Sequence, residues 1–409
     1  MQNLLILGGK ITKISETKYP NFKANRSNFP EMENGKPVID LDSHKFTKLW
    51  QGPQHPGVTG NMSVEITING DEIVHAKTHV GYLHRGFEKL LERRKYIQGF
   101  TIVCRICVPE PDTNEYCYST AVEELAGIQI PDKASWLRTL NLEMSRIASF
   151  LMWIGGQAGS LGMGVIGQWT VGMRDFWLDL FEEMTGGRIY HMYIIPGGVR
   201  KDLPDGFVTR TRDLVDRTRE LLFEIKKSFL DNIITKSRLV GLGIITPDMI
   251  DEYGIVGPTA KASGKEYDVR MNNPYLKYPE LDLKMITLTG GDAFTRAEIR
   301  YQEMHQSLDI ITQILDKMPT EGDIQTKLTN VINWKIPAGE TYVKAESTRG
   351  EHGFYVVADG SKYPRRVYNR GASYTHAISV LEKLAVNTSI SDLAGLMVSL
   401  HTCPPEIER

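Results

Sequence analysis

The chain has 409 residues, enough to bury a large core, and that length is typical of two or three structural units. Its 48 basic and 50 acidic side chains nearly cancel, which excludes the strong positive field of a nucleic-acid-binding protein. Four cysteines are too few for a disulfide scaffold and indicate reduced, intracellular thiols.

The N-terminal part of the chain contains one clear local signal, a β hairpin. Residues 1–50 are polar and lack periodicity, which predicts an irregular extension. In the opening MQNLLILGGKITK the positive charge follows the apolar run, unlike a secretory signal, so we expect a cytoplasmic protein. Apolar and polar residues then alternate on both sides of Asn69-Gly70, which predicts a hairpin at 62–80 within a β unit at 51–83.

Residues 84–334 show the three- and four-residue apolar spacing of helices and predict a helical bundle core. Gly186-Gly187 predicts a helix end, and Asp292 or Thr295 predicts the beginning of a later long helix. The stretch 147–173 has no charged side chain and is long enough to span a bilayer. Its seven glycines favour instead a buried helix that ends in a tightly packed turn around 155–167.

Residues 335–409 predict a small antiparallel β unit, because short alternating segments rich in Gly and aromatic residues succeed one another. A last helix near 375–388 and a tail follow. The predicted fold class is therefore α+β: a central helical bundle with an N-terminal β hairpin unit and a small C-terminal antiparallel β unit.

Two Cys-x-x-Glu pairs stand almost 300 residues apart: Cys107 with Glu110, and Cys403 with Glu406. Taken singly, each cysteine is typical of a small buried apolar residue. Together they can supply a metal site from both ends of a fold, although thiolates favour soft metals and carboxylates favour hard ones. The sequence has no phosphate-binding glycine loop, no dinucleotide-binding fingerprint and no Gly-x-Ser-x-Gly nucleophile motif.

Two further stretches carry candidate site residues. His55 precedes a proline in GPQHPG, where its direction is fixed. In HVGYLHRGFEKL, Arg85 and Glu88 lie one helical turn apart, which is typical either of a salt-bridged helix start or of a functional turn.

Taken in order, seven stretches resemble the large subunit of [NiFe] hydrogenases and its relative, the hydrogenase-like subunit of respiratory complex I. They are GPQHPG, HVGYLHRGFEKLLE, YIQGFTIVCRIC, NEYCYSTAVEELAGI, PGGVRKDLPDGF, ESTRGEHGFYVVADGS and the terminal EIER. The resemblance covers about residues 50 to 409. In the hydrogenases, Arg-Ile-Cys-x-x-Cys and a terminal Cys-x-x-Cys supply four thiolates to nickel and iron. Here the second cysteine of each pair is Glu110 or Glu406, so we expect the NiFe centre to be absent.

In complex I the equivalent cavity holds a quinone headgroup, and the resemblance implies a histidine and a tyrosine as its hydrogen-bond donors. The histidine position is His55. The tyrosine position is Val108, which can neither donate a hydrogen bond nor deliver a proton.

A third branch, the membrane-bound sulfane sulfur reductases of anaerobic archaea, resembles the membrane-bound hydrogenases without their NiFe ligands. This resemblance implies electrons from ferredoxin, a [4Fe-4S] cluster in an adjacent small subunit, and polysulfide reduction beside that cluster. It also implies other peripheral-arm subunits and ion-pumping membrane subunits. We expect a peripheral subunit without transmembrane helices on the cytoplasmic face of the cell membrane, binding no metal itself and inactive alone.

The resemblance to that branch also suggests roles for individual residues. Arg105 would bind the anionic polysulfide, Glu110 and Glu406 would donate protons, and Glu88 resembles a proton-path acid. Cys107 and Cys403 would hold sulfane sulfur as persulfides, and the cavity would be lined by His55, Arg85 and Val108. Three alternatives remain: a quinone- or methanophenazine-reducing subunit, a non-catalytic scaffold coupling a cluster subunit to membrane subunits, and a vestigial pocket whose carboxylates merely pair with basic groups.

Overall fold

The structure is a computed structural model that describes residues 45–54 and 61–409 in full and four short strands before them. Those strands are β1 (Leu4–Leu7), β2 (Lys10–Lys13), β3 (Glu31–Glu33) and β4 (Lys36–Val38), and they pair as two antiparallel hairpins. Residues 1–50, which we expected to form an irregular extension, therefore contain paired β-strands.

A three-stranded antiparallel sheet follows, in the order β5 (Thr47–Gln51), β6 (Ser63–Asn69), β7 (Glu72–His79). Strands β6 and β7 meet at Asn69 and Glu72 across a turn in which Gly70 has φ +67°, a conformation that favours glycine. This confirms the hairpin predicted at 62–80. The inner face, including Val64 and Ile66, is fully buried.

The centre of the molecule is helical, and most of its helices are connected by short turns. Their bounds in chain order are α1 (Phe87–Glu92), α2 (Tyr96–Val103), α3 (Pro111–Ala126), α4 (Asp132–Ser160), α5 (Gly164–Thr185), α6 (Phe207–Ile225), α7 (Ile233–Leu239), α8 (Pro247–Tyr253), α9 (Gly257–Lys261), α10 (Val269–Asn272) and α11 (Ala293–Lys317). Longer connections precede α6 and α11, and a two-stranded ribbon, β8 (Ile194–Ile195) with β9 (Gly198–Val199), separates α5 from α6.

Helix boundaries follow the signals in the sequence. Helix α5 ends at Thr185, and Gly186 caps it with φ +85°. Helix α11 begins after Asp292, whose carboxylate accepts the Thr295 backbone N–H at 2.8 Å. Both predicted boundaries are confirmed.

The charge-free stretch 147–173 forms the end of α4, a turn, and the first half of α5. Helix α4 continues through Gly155 and Gly159 to Ser160, and the turn before α5 lies within the predicted range 155–167. At Gly155 and Gly167 the two helices approach so closely that an added Cβ on Gly167 would lie 3.3 Å from the Gly155 carbonyl oxygen. In the part of the chain that the structure describes, no helix is long and apolar enough to cross a membrane.

The C-terminal unit contains a second three-stranded antiparallel sheet, β10 (Gly339–Ser347), β11 (Gly350–Ala358) and β12 (Arg366–Arg370). After it come α12 (Ser373–Thr375), a π-helical turn (His376–Val380), α13 (Leu381–Ala385), α14 (Ile390–Ser399) and α15 (Pro404–Ile407). Strands β10 and β11 pack on α3, which brings their turn over the beginning of that helix. The α+β class with a helical centre and small antiparallel sheets is confirmed.

Candidate functional site

The two remote cysteines lie side by side. Cys107 is in the turn between α2 and α3, and Cys403 is the residue before α15. Their Sγ atoms are 3.5 Å apart, although the residues are 296 positions apart in the chain. Both side chains are buried, with 2% and 4% of their surface exposed. The structure thus brings together the two Cys-x-x-Glu pairs.

Glu110 is the residue before α3, and its side chain is enclosed by hydrogen-bond donors. The Thr348 backbone N–H lies 3.0 Å from each carboxylate oxygen, and the Thr348 hydroxyl donates to Oε2 at 2.7 Å. The Thr113 hydroxyl donates to Oε1 at 3.3 Å. Burial raises the pKa of Glu110, and the positive charges of Arg349 and Arg146 and the Thr348 bonds oppose that rise.

Arg349 is the cation of the site. Its Nη1 lies 3.2 Å from Glu110 Oε2 and 3.5 Å from Cys107 Sγ. The residue is 2% exposed, and its Nε atom has no hydrogen-bond partner. A buried guanidinium with an unused donor and two adjacent sulfur atoms is suited to binding an anion.

Backbone geometry fixes Arg349 at the turn between β10 and β11. The next residue, Gly350, has φ +125°, and an added Cβ would lie 2.6 Å from Val256 Cγ2. Only glycine fits this combination of a positive φ and close packing. The Arg-Gly pair therefore directs one buried arginine at the thiols.

Glu406 completes the group from the C-terminal tail. Its Oε1 accepts the Ser373 backbone N–H at 3.1 Å, and the Ser373 hydroxyl accepts the Cys403 N–H at 3.0 Å. One Glu406 carboxylate oxygen and the sulfurs of Cys107 and Cys403 all lie within 4.8 Å of one another. Gly371 leaves room for this carboxylate, because a Cβ there would overlap it.

The pKa values of the two thiols are shifted in opposite directions. Burial raises the pKa of Cys107 well above its ordinary value. The hydrogen bond from Cys107 lowers the pKa of Cys403, assisted by the charge of Arg349 and by the Glu406 backbone N–H. Cys403 is therefore the more nucleophilic sulfur, and Cys107 the proton-bearing neighbour.

These residues do not fit a nickel–iron centre. Such a centre takes four thiolates, and the site offers two. The Glu110 carboxylate is engaged by Thr348 and Arg349, and the buried Arg349 cation beside Cys107 would oppose a bound metal cation. A soft metal would find only Cys107, Cys403 and Glu406 as close ligands among the residues that the structure describes.

Other residues that the sequence suggested lie around this centre. Arg105 is directed at Cys104 Sγ, 3.2 Å away, and at Met192 Sδ, 3.9 Å away. Arg85 donates to the Arg105 backbone carbonyl at 3.1 Å. Val108 is partly buried. The arginine in contact with Cys107 is Arg349. The polysulfide-binding role of Arg105 stays a prediction.

Glu88 lies at the beginning of α1 and is paired away from Arg85. It accepts hydrogen bonds from Arg366 Nη2 at 2.8 Å, from the Asn369 N–H at 3.0 Å and from Arg409 Nε at 3.0 Å. His84 Nδ1 lies 2.8 Å from the Glu408 carbonyl, so the chain end is fixed on this helix. His55 lies outside the described residues.

Tyr190 is a site residue that sequence reasoning missed. Its φ of +63° is rare for an aromatic residue and is typical of strained functional positions. The guanidinium of Arg105 lies 5.5 Å from the centre of its ring. Burial raises the pKa of Tyr190, and the nearby thiols Cys107 and Cys104 add to the rise. No local sequence signal marks this position.

Arg349 and Thr348 were missed as well, but for a different reason. They stand in ESTRGEHGF, a stretch that already carried the family resemblance. An Arg-Gly pair inside two alternating strands was a usable signal for a buried, directed cation.

Two surface depressions lie away from the thiols. One, of about 340 Å³, is lined by residues between 250 and 267 together with Glu351. The other, of about 430 Å³, lies between Ile97, Pro196 and the segment 325–334.

Comparisons with known proteins agree on one family. The model of the family "Respiratory-chain NADH dehydrogenase, 49 Kd subunit" matches residues 161–409. A subunit of the NADH-quinone oxidoreductase of Thermosipho melanesiensis is 42% identical over 364 residues, covering 88% of this chain and 99% of the relative. A subunit of the F(420)H(2) dehydrogenase of Methanosarcina mazei is 38% identical over 363 residues, covering 88% and 96%.

A solved structure is similar over the same range. A chain in the structure of the membrane-bound sulfane sulfur reductase, an archaeal respiratory membrane complex, matches with a TM-score of 0.87. The two chains are 42% identical, and the match covers 89% of this chain and 99% of that one. The names of these relatives point to different electron acceptors, so the site itself must be used to choose between them.

Proposed function

Because this chain belongs to the family of the respiratory-chain NADH dehydrogenase 49 kDa subunit, and is an oxidoreductase subunit of a membrane-bound respiratory complex, we propose that its complex reduces sulfane sulfur. The observation that carries the proposal is the 3.5 Å contact between Cys107 and Cys403 beside Arg349. Two thiols, a buried cation and two carboxyl groups match the needs of polysulfide: a sulfur acceptor, an anion partner and proton donors.

Each residue has a defined task in this proposal. Arg349 holds the negative end of a polysulfide, and the thiolate of Cys403 contacts its outer sulfur. Glu110 carries a proton at neutral pH more readily than an exposed carboxyl does, because burial raises its pKa. Glu406 has a carboxylate oxygen within 4.8 Å of both sulfurs and is the second candidate donor.

The electrons come from outside the chain. Its four cysteines are Cys104, Cys107, Cys117 and Cys403, and Cys117 donates to the His352 carbonyl within the core. We therefore propose that a cluster-bearing partner subunit holds a [4Fe-4S] cluster close to Cys403 and receives electrons from ferredoxin. Membrane subunits would use the released energy to translocate ions.

The surface of α5 supports assembly with other subunits. Val165, Trp169 and Phe176 stand on one face of this helix and are 59%, 46% and 43% exposed. Large exposed apolar side chains on one helix face are typical of interaction surfaces. We propose that a partner subunit covers them on the cytoplasmic side of the membrane.

A quinone- or methanophenazine-reducing site is the second candidate, and Tyr190 is the observation that favours it. Val108 has no donor, but the strained, partly exposed phenol of Tyr190 beside Arg105 can donate a hydrogen bond to a quinone oxygen. Reduction of a soluble quinone analogue, lost in Tyr190→Phe and in His55→Ala, would establish this candidate.

The test uses the purified membrane complex. Ferredoxin-driven sulfide and H₂ production are assayed on the sample in which iron and nickel are measured. We expect sulfide without H₂ and iron without nickel. Stoichiometric nickel with H₂ evolution would overturn the proposal. Unchanged sulfide production by the double variant Cys107→Ser, Glu110→Gln would overturn it too, and would indicate that the chain is a non-catalytic scaffold.

A further inference from the structure

The sulfur pair has a geometry that a simple persulfide carrier does not need. The backbone of both cysteines is held in place. The Cys403 N–H donates to the Ser373 hydroxyl at 3.0 Å, and Cys107 lies in the turn between α2 and α3. Their sulfurs are 3.5 Å apart, and a disulfide bond is about 2.05 Å long. The two sulfurs are therefore already neighbours, and bond formation requires an approach of about 1.5 Å between them.

We propose that Cys107 and Cys403 act as a dithiol/disulfide couple that reduces one sulfane sulfur atom by two electrons and is then reset by a partner's iron–sulfur cluster. This inference rests on the proposed function, because it assigns a reaction sequence to the same site. It differs from direct reduction at the cluster in that the chain itself holds the electrons between turnovers.

The first step is a thiol exchange. The Cys403 thiolate attacks the outer sulfur of a hydropersulfide, HS–S–R, forming Cys403–S–SH and releasing R–S⁻. Arg349 is placed to stabilise the negative charge that moves through the site. The nearby Cys107 remains a thiol until its proton is removed.

The second step closes the disulfide. The sulfur of Cys107 attacks Cys403 Sγ and expels hydrosulfide, which takes the Cys107 proton and leaves as H₂S. In sum, Cys107–SH, Cys403–S⁻ and HS–S–R give Cys107–S–S–Cys403, R–S⁻ and H₂S. One sulfane sulfur gains two electrons, and each cysteine sulfur loses one.

Resetting needs a reductant that this chain does not contain. Two one-electron transfers from a low-potential [4Fe-4S] cluster, together with one proton, return Cys107–SH and Cys403–S⁻. Glu406 is the candidate source for this proton, because one of its carboxylate oxygens lies within 4.8 Å of both sulfurs.

The experiment follows the thiols in the whole complex. The reduced complex is given one equivalent of polysulfide without ferredoxin, alkylated, digested with trypsin and analysed by mass spectrometry. Cleavage places Cys107 in the peptide 106–133 and Cys403 in the peptide 384–409. We expect these two peptides to be joined by a disulfide, one sulfide per complex to be released, and reduced ferredoxin to restore both free thiols.

Matched variants identify the sulfur atoms. Peptide 106–133 also contains Cys117, so Cys117→Ser is the control and should still form the cross-link. Cys107→Ser should lose the cross-link and accumulate a persulfide on Cys403. Cys403→Ser should form neither product.

The outcomes separate this inference from the function beneath it. Ferredoxin-driven sulfide production with both thiols free throughout would overturn the couple and leave sulfur reduction in place. Disulfide formation with a stoichiometric polysulfide, but no ferredoxin-driven sulfide, would support the thiol steps and overturn both the reset by a cluster and the proposed function. Thiols that stay free, together with no sulfide either before or after ferredoxin is added, would overturn both.

Discussion

Replacing Arg349 with methionine tests the electrostatic arrangement of the site most directly. The variant Arg349→Met keeps a long apolar side chain but removes the cation from Glu110 and Cys107. Breaking a buried ion pair by removing one partner costs about 3–5 kcal/mol, because the other charge is left uncompensated. Glu110 keeps the bonds from Thr348 and can take up a proton, so we expect the lower end, about 3 kcal/mol, at pH 8.

The pH dependence of this loss has a defined sign. Without Arg349 the pKa of Glu110 rises further above its unfolded value. A raised folded pKa gives stability that is fully present below the unfolded pKa and is lost as pH rises through the folded value. The variant should therefore approach the wild-type protein in stability near pH 5 and fall behind it towards pH 8.

Urea unfolding of the purified chain measures both effects, with Glu110→Gln as the second arm of a double-mutant cycle. With a neutral side chain at position 110, Arg349→Met should cost only about 1 kcal/mol, the value of an ordinary hydrogen bond. Arg349→Lys is the control that keeps the charge. Additivity of the two substitutions within about 0.5 kcal/mol would refute the reasoning, since independent sites behave in that way.

Three further predictions concern histidine, glycine and the chain end. Burial lowers the pKa of His352 to about 4. The contribution of neutral His352 to folding stability is therefore present above pH 6.5 and is lost as pH falls towards 4. That loss is roughly 3 kcal/mol, and acid titration of His352→Gln by circular dichroism should lack it. Gly371→Ala should displace the Glu406 carboxylate, lower the free energy of unfolding in urea by about 1–3 kcal/mol and slow sulfide production. The control Gly172→Ala adds a methyl group in open space and should not lower the free energy of unfolding. Equal effects of the two would count against the packing argument. Glu88→Gln should weaken the contacts with Arg366, Asn369 and Arg409 and lower the free energy of unfolding in urea by about 2 kcal/mol. The control Glu92→Gln, which keeps the Asn369 and Arg409 contacts of Glu88, should lower it less. Equal losses in the two variants would contradict this assignment.

Local chemistry let the sequence predict most elements of the fold. Asn69-Gly70 between alternating strands determined a hairpin, Gly186 a helix end and Asp292 a helix start, because each acts on backbone within a few residues. The sequence also identified the two Cys-x-x-Glu pairs and, through resemblance, the family. The glycine cluster at 155–167 likewise predicted the end of α4 and the turn before α5, because small residues permit a tight turn and close helix packing.

Only the tertiary structure decided which groups meet. Arg349 reaches Cys107 across 242 residues and Glu110 across 239, whereas Arg105, only two positions from Cys107, is directed at Cys104. Glu88 likewise pairs with the remote Arg366 and Arg409 instead of its helical neighbour Arg85. Sequence spacing fixes the face of a helix on which a side chain lies. The partner across that face, and with it the charge, burial and proton affinity of a site, is set by contacts between distant segments.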